Sequence, residues 1–152
     1  MNYEERDTYG MYVVKQSSTD GDDRGPGPRL MGADTLIGND VVNADGDDLG
    51  EIKEIMLNVP AGRIEYAVLT FGGFLGFGEK LFAIPWSALT LDTMNKRFVL
   101  NVSKETLENA PGFDRDDWPD MANEQWADEI HAYYGVKPYR DELKPYRDPL
   151  QP

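Results

Sequence analysis

The sequence predicts a mainly β protein, with a small antiparallel β-barrel over residues 34–102 and a short α-helical C-terminal extension. Three observations carry this. Apolar and polar residues alternate at a two-residue period through the stretches near 55–59 and 97–102. Turn-forming clusters interrupt the apolar runs at short intervals. No helical segment connects one run to the next. Without helical crossovers the sheet is expected to be antiparallel and closed or nearly so.

Residues 1–33 form an arm. Tyr9, Met11, Tyr12, Val13 and Val14 make a short apolar patch, but Ser17 to Arg29 is Ser, Thr, Asp, Gly and Pro. Such a segment buries too little surface to offset its ordering entropy, so it is expected to be flexible. The β region starts near Leu36. Val41-Val42 leads into Asn43–Asp48, where Asp45-Gly46 is a strong turn signal. In the strand through Gly50–Val59, Ile55, Leu57 and Val59 share one face. Pro60-Ala61-Gly62 turns the chain into a returning strand, Ile64–Phe71, rich in β-branched and aromatic residues. Leu81–Trp86 is the next strand and Ala88–Leu91 continues it. Asp92–Lys96 is a turn, and Arg97–Val102 closes the set at about six strands. Expected core residues are Ile55, Leu57, Val68, Leu69, Phe82, Ile84, Phe98 and Leu100.

In the extension, residues 103–136, the period changes. Ser103 is placed to cap a short helix through Asn109, and Ala110-Pro111-Gly112 stops it. A second helix is expected from near Pro119 to Tyr134. Its Trp126, Ile130 and Tyr133 fall at i, i+4 and i+7, and Gly135 suits the position after the helix end. This stripe should lie against the barrel or against a partner. The tail, residues 137–152, holds a heptad repeat. Lys137-Pro138-Tyr139-Arg140-Asp141-Glu142-Leu143 is followed by Lys144-Pro145-Tyr146-Arg147-Asp148-Pro149-Leu150, identical at six of seven positions. Its prolines favour extended conformations over helix.

Composition narrows the function classes. Lys and Arg total 15 against 28 for Asp and Glu, a formal net charge of −13. Nucleic-acid affinity rests on cationic groups that neutralise phosphates, so direct binding to DNA or RNA is not expected. The absence of cysteine excludes disulfides, thiolate metal sites and thiol catalysis. The longest mostly apolar stretch, Tyr66–Phe77, falls short of the ~20 residues a membrane span needs. The first ten residues lack the apolar core of a signal peptide, so a cytoplasmic location is expected.

The run from Ile64 to Trp86, with Phe71-Gly72-Gly73-Phe74-Leu75-Gly76-Phe77-Gly78-Glu79 at its centre, closely resembles bacterial PRC-barrel domain proteins. Asn109-Ala110-Pro111-Gly112-Phe113-Asp114, Trp118-Pro119-Asp120-Met121 and Tyr133-Tyr134-Gly135-Val136 are similar to the C-terminal extension of one branch of that family. The resemblance runs from about Asp34 to Tyr139. It implies a barrel related to the cytoplasmic domain of the photosynthetic reaction-centre H subunit and to the C-terminal domain of a ribosome-maturation factor. The H subunit's membrane helix has no counterpart here, and residues 1–33 are too few for the maturation factor's second barrel. Neither specific function is expected to transfer. What the two share is docking onto a larger assembly.

The residues themselves point to no catalytic chemistry. With Gly46 at the sixth position of a calcium loop, Asn43, Asp45 and Asp47 fall at the third, fifth and seventh. The first and twelfth positions are then Val41 and Ile52, so the main carboxylates are missing and a hairpin turn is expected instead. Gly72, Gly73, Gly76 and Gly78 lack the order of a dinucleotide fingerprint and precede a strand, not a helix, which fits a tight bulged connection. His131 is the single histidine and has no nucleophile motif to serve. Asp114, Asp116, Asp117 and Asp120 fit solvated loops and helix starts. No catalytic, cofactor-binding or metal-binding residue is assigned, and no cofactor.

Phe74, Leu75 and Phe77 stand out because they are apolar in a glycine-rich connection. Two readings are open: they plug one barrel end or receive the last helix, or they form a patch that meets another subunit. With Trp126, Ile130, Tyr133, Tyr139 and Tyr146 they make up the candidate interface. The expected function is a non-catalytic protein-binding or assembly module that forms a homo-oligomer. The alternative is an accessory factor in ribosome or RNA assembly, docked onto a basic ribosomal protein.

Overall fold

The computed structural model describes residues 2, 3, 5, 30–71 and 80–138. A short helix α1 (Ala33–Leu36) precedes β1 (Asp40–Val42). Then come β2 (Asp48–Asn58), β3 (Arg63–Phe71) and β4 (Lys80–Pro85), and a 3-10 turn at Trp86–Ala88 leads to β5 (Leu89–Asp92) and β6 (Arg97–Leu100). Helix α2 (Lys104–Glu108), the two-residue β7 (Phe113–Asp114) and helix α3 (Glu124–Tyr133) complete the order. Among the described residues, seven strands join one sheet in the order β5-β6-β1-β2-β3-β4-β7.

The sheet was expected to be antiparallel and closed or nearly so; it is mostly antiparallel, with one parallel pair, and it is not closed. β1 and β6 pair in parallel, with Val41 opposite Phe98 and Val42 opposite Val99. Direction explains this. The chain reverses between β1 and β2, β2 and β3, β3 and β4, and β5 and β6, but not at the 3-10 corner between β4 and β5. Four reversals return β6 to the direction of β1. Among the described residues the sheet is also open. The free edge of β4 is taken by β7 and not by β5.

One main core still draws on both halves of the sheet: Val41, Ile52, Leu69, Phe82, Ile84, Phe98 and Leu100 belong to it, with Leu36 and Leu107 from the helices. Tyr3 is also part of it, 1% exposed, with its N–H bonded to the Lys96 carbonyl. Seven of the eight expected core residues are buried. The eighth, Leu57, is a correction at 57% exposed. Strand β2 carries register shifts between Ile52 and Glu54 and between Met56 and Leu57. The first leaves Lys53 unpaired on β2 and changes which of its side chains face inward, and the second leaves Glu65 unpaired on β3. The buried set on β2 is therefore Leu49, Ile52 and Ile55, three residues apart, and the strand has run past the core by Leu57.

In β3, Tyr66, Ala67, Val68 and Leu69 are buried in succession, the mark of a strand covered on both faces. Ala67 and Leu69 face the main core, while Tyr66 belongs to a second cluster with Ala83 and Ile130. Helix α3 supplies that outer cover. It begins five residues later than Pro119 suggested. The Asn123 side chain accepts the Trp126 N–H at 3.0 Å and caps the helix, while Asp120 turns the chain before it by accepting from Ala122 N–H. Ser103 caps α2 as expected, accepting the Thr106 N–H at 3.0 Å, and Gly135 ends α3 at φ +71°.

Candidate functional site

A groove of about 590 Å³ lies between the far end of the β2–β3 hairpin and α3. Met56, Leu57, Val59, Pro60, Met121, Ala122 and Ala127 give it an apolar lining, and Arg63, Glu65 and Glu124 add charge. Tyr66 and His131, 4% and 3% exposed, line it as well.

The hairpin end is held by its own polar side chains. Asn58 Oδ1 accepts the Ala61 N–H at 3.0 Å, Gly62 N–H bonds the Asn58 carbonyl at 2.8 Å, and Gly62 takes φ +70°. The Glu65 carboxylate accepts from Asn58 Nδ2 at 3.0 Å and from Arg63 Nε at 2.9 Å. Three bonded side chains therefore fix this wall, with a carboxylate at its centre.

The other wall is α3. Trp126 packs edge-on against Tyr66 with centroids 5.3 Å apart, and the His131 ring meets Tyr66 at 5.5 Å. His131 Nδ1 lies 2.7 Å from the Ala127 carbonyl. A carbonyl only accepts, so Nδ1 carries a proton and donates to it. Burial, followed by the Glu65 and Asp128 charges, pushes the Tyr66 hydroxyl up to about 12, so it stays a neutral donor at ordinary pH.

The expected site residues are spread unevenly over this picture. Trp126 and Ile130 pack against the chain's own sheet, Ile130 at 2% exposed. Tyr133 is 36% exposed, and its hydroxyl donates to the Thr106 carbonyl at 2.5 Å, tying α3 to α2. Phe74, Leu75, Phe77, Tyr139 and Tyr146 lie outside the described residues. Sequence reasoning missed the groove itself. Leu57, expected in the core, and Val59, expected on the same strand face, are 57% and 79% exposed. The available signal was Pro60-Ala61-Gly62 directly after them, because a strand's last residues before a turn outrun its neighbours.

The Asn43–Asp47 segment is a turn organised by Asn43, whose Oδ1 accepts from both Asp45 N–H (3.0 Å) and Asp47 N–H (2.9 Å). Its Nδ2 donates to Asp47 Oδ2 at 3.1 Å. The Asn43 and Asp47 side chains are thus bonded to each other within the turn. Among the described residues no helix is long and apolar enough to cross a membrane.

A family model described as PRC-barrel domain matches residues 28–107, more than half of the chain. No curated protein matches the chain.

Proposed function

Because this chain belongs to the PRC-barrel family, whose domain is a general protein-interaction and assembly module, we propose that it is a non-catalytic docking protein that binds through the hairpin–α3 groove and self-associates. The observation that carries this is the pair Leu57 and Val59. Both are more than half exposed at the edge of a concave, mostly apolar surface, where binding another chain removes them from water. Among the described residues, Glu124 lines the same groove without an ion pair of the kind that Arg63 makes with Glu65, which favours a partner segment with a cationic group. The net charge of −13 works against bare nucleic acid. A basic ribosomal protein is the alternative partner that the Glu124 carboxylate and the net charge favour. Its signature is co-sedimentation with ribosomes that weakens as salt rises.

Light scattering across protein and salt concentration tests self-association. Two copies of charge −13 repel one another, and screening reduces that repulsion beyond a Debye length of about 10 Å at 0.1 M salt. The mass per particle should rise from monomer toward dimer with concentration, and more readily at moderate salt. A strictly monomeric mass at high protein concentration and moderate salt defeats the self-association.

A further inference from the structure

The groove has a candidate ligand within the sequence. Pro138, the last described residue, lines the groove. It is the second residue of the heptad Lys137–Leu143, so the groove already receives the opening of that repeat. Fourteen residues follow Pro138, and they include the second heptad, Lys144–Leu150. We infer that the groove takes the second heptad of another copy of this chain. The inference rests on the self-association proposed above and names the segment that mediates it.

The chemistry of the heptad matches the lining. Lys144 and Arg147 flank Pro145-Tyr146, and the groove presents Glu124, while Glu65 is held by Arg63 and Asn58. Tyr146 is an amphipathic ring, and the groove pairs Met56 and Met121 with the buried polar tips of Tyr66 and His131. Proline-bearing extended segments lose little entropy on docking into aromatic-lined grooves.

Reach favours a neighbour over the same chain. A heptad in extended, proline-type conformation advances by about 22 Å at ~3.1 Å per residue. To re-enter its own groove, the second heptad must reverse within the six residues between Pro138 and Pro145. Entering the groove of a second copy needs no reversal. If each copy donates its heptad to the other, the exchange is reciprocal and closes as a two-fold dimer.

The chain has no cysteine, so Gln151→Cys in the full-length protein accepts a single nitroxide. Mixing that protein, unlabelled with nitrogen-15, with nitrogen-15 wild type reports contacts between copies only. The inference expects paramagnetic broadening of wild-type amides at Leu57, Val59, Ala127 and His131. In a separate light-scattering series, Tyr146→Ser should raise the dimer dissociation constant by about tenfold or more, the weight of one buried aromatic anchor. Broadening seen only when label and nitrogen-15 share one chain overturns the inference in favour of a tail that folds back. Broadening elsewhere, or none, also overturns it. If scattering on the same samples still shows a dimer, self-association survives without tail exchange, whereas a monomer at all concentrations defeats both.

Discussion

Replacing Gly50 with alanine should damage this fold far more than the same replacement at Gly46, although both glycines hold positive φ, +107° and +85°. Alanine at either position meets the left-handed penalty of about 1–2 kcal/mol. At Gly46 nothing lies within 4 Å of the added methyl group, so the penalty stops there. At Gly50 the new Cβ falls 2.0 Å from the Thr70 carbonyl oxygen and 3.1 Å from its carbon. Both are backbone atoms of β3, which cannot swing aside as a side-chain tip would. Relief requires β2 and β3 to separate by about 1 Å where Glu51 pairs with Thr70. Losing one or two ladder hydrogen bonds there adds about 0.5–1.5 kcal/mol each. Gly50→Ala should thus cost about 1.5–5 kcal/mol, and Gly46→Ala about 1–2. Urea unfolding followed by circular dichroism measures both. Equal losses in the two variants, or a loss below about 1 kcal/mol at Gly50, would refute the assigned β2–β3 register.

Other outcomes follow from burial and charge. Phe82→Ala, at a ring 1% exposed, should cost about 3–5 kcal/mol, whereas Leu57→Ala should cost under about 1, read from the same urea curves. Asn43→Ala removes the acceptor of two backbone N–H groups in a 4% exposed side chain and should cost about 1–3 kcal/mol; calcium should leave the melting temperature of the wild type unchanged. The Asn95 side chain, then backbone N–H groups and Arg97, hold the Asp92 carboxyl below its usual range. A lowered folded value means the stabilisation is present above the unfolded pKa near 4 and is lost as pH falls through the folded value, so Asp92→Asn should flatten the acid limb of the stability curve. The Tyr66 hydroxyl, raised to about 12, is held more tightly in the folded state. Stability should be intact below pH ~10 and fall as pH climbs toward 12, and Tyr66→Phe should reduce that fall in an alkaline unfolding series.

Much of the β region could be read from local pattern because each feature was decided by a few adjacent residues. The Pro60-Ala61-Gly62 hairpin, the alternation of Phe98 and Leu100, and the Ser103 cap are of this kind. What the sequence concealed depends on residues far apart. The register shifts between β2 and β3 arise from their pairing, and no composition signal marks Lys53 or Glu65 as the place where the phase slips. The parallel β1–β6 pair depends on counting reversals over the whole sheet. Tyr3 enters the core because the Lys96 carbonyl anchors its backbone across more than ninety residues, although the local composition of the arm is polar. The groove was hidden for the same reason. Its walls come from residues 56–66 and 121–138, and only the packing of Trp126 and Ile130 onto Tyr66 and Ala83 brings them together.

The most direct test of the docking surface is to follow the backbone amides by nitrogen-15 NMR while the full-length protein is concentrated at moderate salt. If the hairpin–α3 groove is where copies meet, concentration-dependent shifts should gather at Leu57, Val59, Ala122, Ala127 and His131. Leu30 and Met94, 84% and 87% exposed but outside that lining, should stay unchanged. Shifts at Leu30 or Met94 with a silent groove would contradict the account.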